Sequence, residues 1–275
     1  MRLRTLLVGS LATAASLTGT ALVASPASAA PAFAPAATAT VKPGVQTYTQ
    51  GAQCTANFVF TDGARVFIGQ AAHCSGTGAA TDTNGCDAGS LPLGTPVEVT
   101  GASKPGTLVY SSWLAMQANN ETNGEACDYN DFALIELDPA DVSRTNPSVP
   151  FFGGPTALGA GTSFGDSVYS YGNSSLRFGI SQTSPKRGTS LGDSPAGWST
   201  TVYTVTPGIP GDSGSGFLDE TGRAFGTLST VALAPFAGSN GVSNLAKELA
   251  YAQANGFAGV TLVPGDVPFS GSRLV

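Results

Sequence analysis

The sequence predicts an all-β fold with one helix near its C-terminus, on three observations. Short runs of β-branched and aromatic residues recur from Val45 onward, clusters of Gly, Asn, Asp and Pro separate them, and a single stretch carries a helical period. Many short strands at such spacing belong to a sandwich or to a pair of barrels.

In chain order, the strand candidates are Asn57–Phe60, Arg65–Ile68, Pro96–Val99, Phe132–Ile135, Ser167–Tyr171 and Thr201–Val205. Asp62-Gly63 and Thr221-Gly222 supply turn signals. From Val242 to Asn255, apolar residues fall at Val242, Leu245, Ala246, Leu249 and Ala250, which predicts one amphipathic helix. Ser239, Asn240 or Ser243 is its expected cap, and Asn255-Gly256 its stop. Residues 25–43 are rich in Ala, Pro, Thr and Ser with little to pack, so 30–43 reads as a flexible lead or short pro-segment. Before it, Arg2 and Arg4 precede an interrupted apolar stretch, and Ala27-Ser28-Ala29 has the small-x-small pattern of a cleaved export signal. A membrane anchor would need about 20 predominantly apolar residues, and Ser10, Thr13, Ser16, Thr18 and Thr20 break this one. Cleavage near Ala29 leaves residues 30–275, long enough for one large β unit or two barrels of about 100 residues each. The density of Pro and Gly at 145–160 places a division there, giving units at 44–150 and 151–275.

The chain carries 12 basic and 18 acidic residues, a formal charge of −6 that becomes −8 once Arg2 and Arg4 leave with the signal. No Lys/Arg cluster tracks phosphates, so neither nucleic acid nor an anionic membrane is an expected partner. Four cysteines in an exported chain should pair, because the compartment is oxidising, and three connectivities are open. A metal site is disfavoured: no Cys-x-x-Cys occurs, and the only histidine has other work.

That histidine, His73, stands in Gly69-Gln70-Ala71-Ala72-His73-Cys74 at the end of an apolar run. A disulfide at Cys74 would fix the backbone that presents the imidazole, as a general base requires. Ser213 stands in Gly208-Ile209-Pro210-Gly211-Asp212-Ser213-Gly214-Ser215-Gly216. A serine hydroxyl needs a neighbouring base to become a nucleophile, and the oxyanion it forms needs donors already aimed at it. Flanking glycines give the required conformational freedom, and the N–H groups of Gly211 and Ser213 are the natural donors. Asp131 immediately precedes the apolar run Phe132-Ala133-Leu134-Ile135, where its carboxylate can be drawn inward to orient the imidazole. Asp128 stays beside Cys127. The order His73, Asp131, Ser213 excludes an α/β-hydrolase, which runs Ser, acid, His. A subtilisin order would need an acid before His73, and Asp62 there sits in a turn.

Ala71-Ala72-His73-Cys74, Asp131-Phe132-Ala133-Leu134-Ile135 and Gly211-Asp212-Ser213-Gly214-Ser215 resemble the three signature segments of chymotrypsin-family (trypsin-like) serine proteases, especially bacterial secreted members. The resemblance spans roughly residues 45–262. It implies two antiparallel six-stranded β-barrels with the active site between them and a Cys54–Cys74 disulfide, which leaves Cys86 with Cys127. It also implies a monomeric serine endopeptidase that acts on protein or peptide substrates through an acyl-enzyme intermediate. In that family the residue six before the nucleophile lies at the base of the specificity pocket. Here it is Pro207, so the expected preference is for uncharged side chains. Nothing near Val41–Thr47 resembles the Ile-Val-Gly-Gly start of members activated by a freed N-terminus. Asp212 then needs another cation, with Arg144, Arg177 and Arg187 the candidates.

No cofactor is expected. Asp82-Thr83-Asn84-Gly85-Cys86-Asp87 offers oxygen ligands to calcium but lacks the rest of a loop pattern, and a solvated turn is the better reading. The competing functions are an inactive binding protein on the same fold and a secreted esterase using the same three residues.

Overall fold

The structure is a computed structural model that describes residues 31–79, 82–231 and 238–273. The expected signal at 1–29 lies outside them. The strands of the first half are β1 (Gln46–Thr49), β2 (Ala52–Thr55), β3 (Val59–Thr61), β4 (Val66–Gln70), β5 (Pro96–Val99), β6 (Gly106–Ser111) and β7 (Ala133–Glu136). Those of the second are β8 (Ser167–Tyr171), β9 (Pro185–Asp193), β10 (Ser199–Val205), β11 (Gly216–Leu218), β12 (Ala224–Val231), β13 (Asn240–Asn244) and the short β14 (Thr261–Leu262).

The second half closes into a six-stranded barrel in the order β10-β13-β12-β11-β8-β9. The first half departs from the expectation of a matching six-stranded barrel. Its seven strands and β14, which returns from the far end of the chain to pair with β3, form one eight-stranded sheet, β14-β3-β4-β7-β6-β5-β1-β2. Thr61↔Thr261 and Phe60↔Leu262 are the paired residues.

Alternation decides which side chains fill each interior. Phe217, Phe225, Leu228, Val168, Val202 and Val242 pack inside the barrel. Val41, Val59, Ile68, Val97, Leu108 and Ile135 fill one side of the large sheet, and Phe58, Phe60, Phe67 and Phe132 form another cluster that also takes in Leu245 and Leu249. Each such side chain contributes about 1.5–3 kcal/mol on leaving water.

Three expectations need correction. The described part of the lead is packed: Val41 is fully buried, Ala34 N–H donates to Thr145 O (2.9 Å), and Asn146 donates to Ala34 O (2.7 Å). Its backbone groups, more than its small side chains, hold it down. Helices also occur outside the C-terminal stretch, at α1 (Ser112–Asn119), α2 (Gly124–Tyr129, which contains Asp128) and α3 (Pro139–Val142). Finally, the predicted helix begins later than expected. Asn240–Asn244 is strand β13, and helix α4 (Leu245–Ala254) is capped by Asn244, whose side chain accepts from Lys247 N–H at 3.1 Å. Among the described residues no helix is long and apolar enough to cross a membrane.

Candidate active site

Register brings His73 and Asp131 together. Strands β4 and β7 are antiparallel with Gln70↔Ala133, so the residues just after β4 and just before β7 share one end of the sheet. His73 lies in a 3-10 turn, Ala72–Ser75, stapled to β2 by the Cys54–Cys74 disulfide. The second disulfide joins Cys86 to Cys127. Asp131 holds His73 twice: Oδ1 accepts from the backbone N–H at 2.8 Å, and Oδ2 meets Nδ1 at 2.6 Å. The Asp131 side chain is 4% exposed and that of His73 26%, so the acid is sequestered while the ring reaches solvent. Burial opposes the imidazolium, but the charge and hydrogen bond of Asp131 outweigh it and hold the His73 pKa above its ordinary value. Burial would raise Asp131, yet His73 and the Ser229 hydroxyl, which donates to Oδ2 at 2.6 Å, bring it below the usual carboxylate range.

Ser213 approaches from the barrel. Strand β11 begins three residues after it and pairs Gly216 with Thr227, which puts Ser213 and Ser229 at the same barrel end. Thr55 N–H donates to Ser213 O at 2.8 Å and ties the two β units together at this point. Gly214, at φ +86°, must be glycine: a Cβ there would stand 2.6 Å from Thr55 O and 2.9 Å from Ala71 N. His73, Asp131, Ser213, Gly211 and Ser229 all line one cleft of about 670 Å³, with Trp113 and Ile209 among its other walls. No hydrogen bond joins the Ser213 hydroxyl to the His73 ring, and such contacts commonly tighten only around substrate.

Asp212, next to the nucleophile candidate, is fully buried and paired with two cations. Arg177 Nη2 lies 2.5 Å and Lys186 Nζ 3.0 Å from Oδ2. Of the three arginines considered, Arg177 is therefore the partner. Arg144 instead faces Asp141 (3.8 Å), and Arg187 covers the Tyr169 ring. Burial lowers the Lys186 ammonium, which Asp212 offsets only in part. Pro207 is not brought to the cleft. It is exposed, its carbonyl accepts from Lys186 at 3.1 Å, and it is the neighbouring Gly208 and Ile209 that form the wall. In the 82–87 loop the oxygens are engaged locally: Asp82 accepts from Ala79 N–H and Asn84 from Cys86 N–H.

Lys186, Ser229 and Glu248 were not read from the sequence. Glu248 on α4 is fully buried behind Asp131, accepting its backbone N–H at 3.1 Å and the Thr227 hydroxyl at 3.2 Å. Its signal was present. Counting from Leu245, positions 248, 249 and 252 form the buried face, and an acid occupies the first of them.

No family model matches the sequence, and no curated protein matches it. Solved structures do match, at low identity. Thermobifida fusca protease A is 18% identical with a TM-score of 0.53, covering 82% of this chain and 99% of its own. A glutamic acid specific serine protease, described as binding substrate through a histidine triad, is 19% identical with a TM-score of 0.51, covering 81% and 100%. Cellulomonas bogoriensis chymotrypsin is 17% identical with a TM-score of 0.50, covering 81% and 98%. The fold is that of the chymotrypsin-like serine proteases. In that fold the cleft described above runs where the large sheet meets the barrel, with His73 and Asp131 on the sheet side and Ser213 and Ser229 on the barrel side. The histidine triad named for the second of these proteins has no counterpart here, since His73 is the chain's single histidine.

Proposed function

We propose that this chain is a serine endopeptidase in which Ser213 attacks the scissile carbonyl, His73 takes and returns the proton, and Asp131 orients the ring. The observation that supports it is the double hold of Asp131 on His73, at 2.8 and 2.6 Å, on the wall of a cleft that also contains Ser213. With Nδ1 engaged by the carboxylate, Nε2 is the nitrogen left for the hydroxyl. As the proton moves to His73, the imidazolium is stabilised by the buried negative charge of Asp131. The tetrahedral oxyanion is received by the N–H groups of Gly211 and Ser213. On this reading, the unit at 44–150 supplies the acid–base pair and the unit at 151–275 the nucleophile.

Uncharged side chains are the proposed substrate preference. Gly208, Ile209, Leu228 and Thr230, on the barrel side of the cleft, offer no carboxylate to a basic residue, and the buried Asp212 of that side is already paired twice. Better cleavage after Lys or Arg than after Leu, Phe or Ala in a peptide library would overturn the preference. Export is proposed as well, with cleavage near Ala29, and the two disulfides fit an oxidising compartment.

The deciding experiment is covalent labelling by a serine-directed fluorophosphonate together with peptide turnover. Wild type should label and cleave, and Ser213→Ala should do neither. A folded wild type that does not label would favour an inactive binding protein, and ester turnover without peptide cleavage would favour an esterase.

A further inference from the structure

We propose that Ser174, with Thr55 and Gln53, forms a clamp that presets the oxyanion hole by fixing the orientation of the Pro210–Gly211 peptide. This rests on the catalytic reading above and adds three positioning residues to it. Gly211 is conformationally free by nature and sits at φ +95°, so the peptide before it could turn over at little intrinsic cost. Turned over, it would point the Pro210 carbonyl at the developing oxyanion instead of the Gly211 N–H. Something must decide between the two orientations.

Ser174 does so directly, and Thr55 and Gln53 hold the peptide that follows. The Ser174 hydroxyl donates to Pro210 O at 2.5 Å, and its oxygen accepts Leu176 N–H at 3.1 Å, so its proton is free to face the carbonyl. The Pro210–Gly211 bond is trans, and in a trans peptide C=O and N–H point in opposite directions. Ser174 is buried on the far side of the loop, while Pro210, Gly211 and Ser213 line the cleft. Holding the carbonyl toward Ser174 therefore aims the Gly211 N–H at the cleft. The next carbonyl is held in the same way: Gly211 O accepts from Thr55 Oγ1 at 2.8 Å and Gln53 Nε2 at 3.0 Å.

The clamp is itself anchored. Ser174 N–H donates to Asp212 Oδ1 (3.0 Å), Asn173 N–H to Thr55 Oγ1 (3.0 Å) and Ser175 N–H to Gln53 Oε1 (2.9 Å). The segment at 173–175, the strand β2 and the loop at 210–212 are thus cross-linked by hydrogen bonds to the two peptides that flank Gly211.

The test is steady-state kinetics on Ser174→Ala and Ser174→Thr, with affinity for a peptide boronate, which occupies the oxyanion hole, and for a cleaved-product peptide, which does not. Removing an oxyanion donor outright costs about 10²–10³ in kcat. Loosening one should cost about tenfold to a hundredfold, with KM little changed. Boronate affinity should fall in parallel while product affinity holds, and Ser174→Thr, which keeps the hydroxyl, should recover most of the loss. If Ser174→Ala does not fold, Thr55→Val releases the other carbonyl and should lower kcat and boronate affinity in the same pattern. Unchanged kcat, or equal losses of boronate and product affinity, would overturn the clamp while leaving the catalytic reading intact. Failure of wild type to label with fluorophosphonate would overturn both.

Discussion

The two β units hold their halves of the site by different means. The sheet side is fixed covalently: both disulfides lie there, Cys54–Cys74 beneath His73 and Cys86–Cys127 in the loops before Asp131. The barrel side, which presents Ser213, has neither. It relies on the buried cluster of Asp212, Arg177 and Lys186 and on the hydrogen bonds around Gly211. On the proposed mechanism, the difference follows from what each part must do. A base on a short turn needs its backbone anchored, whereas an oxyanion hole needs N–H groups aimed by dipoles and charges that cross-links cannot supply. Reductant should therefore act mainly through the sheet, and charge substitutions mainly through the barrel.

Asp131 is where the two halves meet, accepting from His73 on one side and Ser229 on the other. Asp131→Asn should have the largest effect, about 10⁴-fold in kcat with folding largely intact. Wild-type kcat/KM should also rise with pH through an acid limb above the ordinary imidazole pKa of 6.5, because His73 must lose its proton to act as base. In the Asn variant that limb should move down, since the charge that raises it is gone. A pH–rate profile checks both, and an unmoved limb would detach Asp131 from His73.

Asp212→Asn comes next. It leaves two buried cations without a carboxylate, a change of about 3–5 kcal/mol for a broken buried pair. Denaturant unfolding should register that loss, and activity should fall with it. Breaking Cys54–Cys74 as the double Ala variant should cost about 3 kcal/mol for a separation of 20 residues. If the two devices are independent, Asp212→Asn should cost the same with and without the disulfide, so additivity of the two losses is the sharper measurement.

The strands and the three proposed catalytic residues were legible because both are local in sequence. Alternation marks Ser167–Tyr171 or Thr201–Val205 within a few positions, and His73, Asp131 and Ser213 each sit in a short run whose chemistry reads alone. What was missed is long-range. The eight-stranded sheet depends on Thr261 finding Thr61 across 200 residues, which no periodicity records. Lys186 lies in a polar strand segment and reads as solvated until Asp212 is placed beside it. Helix α1 was overlooked because it buries only Ser112, Trp113 and Met116, too narrow a face for a clear helical period. The lead at 34–41 packs through backbone groups, and composition is silent about those.

Helix α4 adds a buried titratable group to this comparison, and its effect on stability should depend on pH. Burial pushes the Glu248 carboxyl up to about 8; the Ser243 hydroxyl opposes this and the nearby charge of Asp131 adds to it. Tyr110, packed near the same core, feels Glu248 in turn. Between the ordinary Glu value of 4.5 and about 8, the folded protein keeps a proton that the unfolded chain has released. Folded chains bind more protons there, so stability contributed at this site falls as pH rises. Glu248→Gln keeps an acceptor for the Asp131 N–H but has no proton to lose. Its Tm relative to wild type should therefore climb from pH 5 to pH 8, by about 2–4 °C for each kcal/mol involved. A difference in Tm that stays flat across that range would mean Glu248 is ionised in the folded protein. Asp131 would then have a second buried carboxylate beside it.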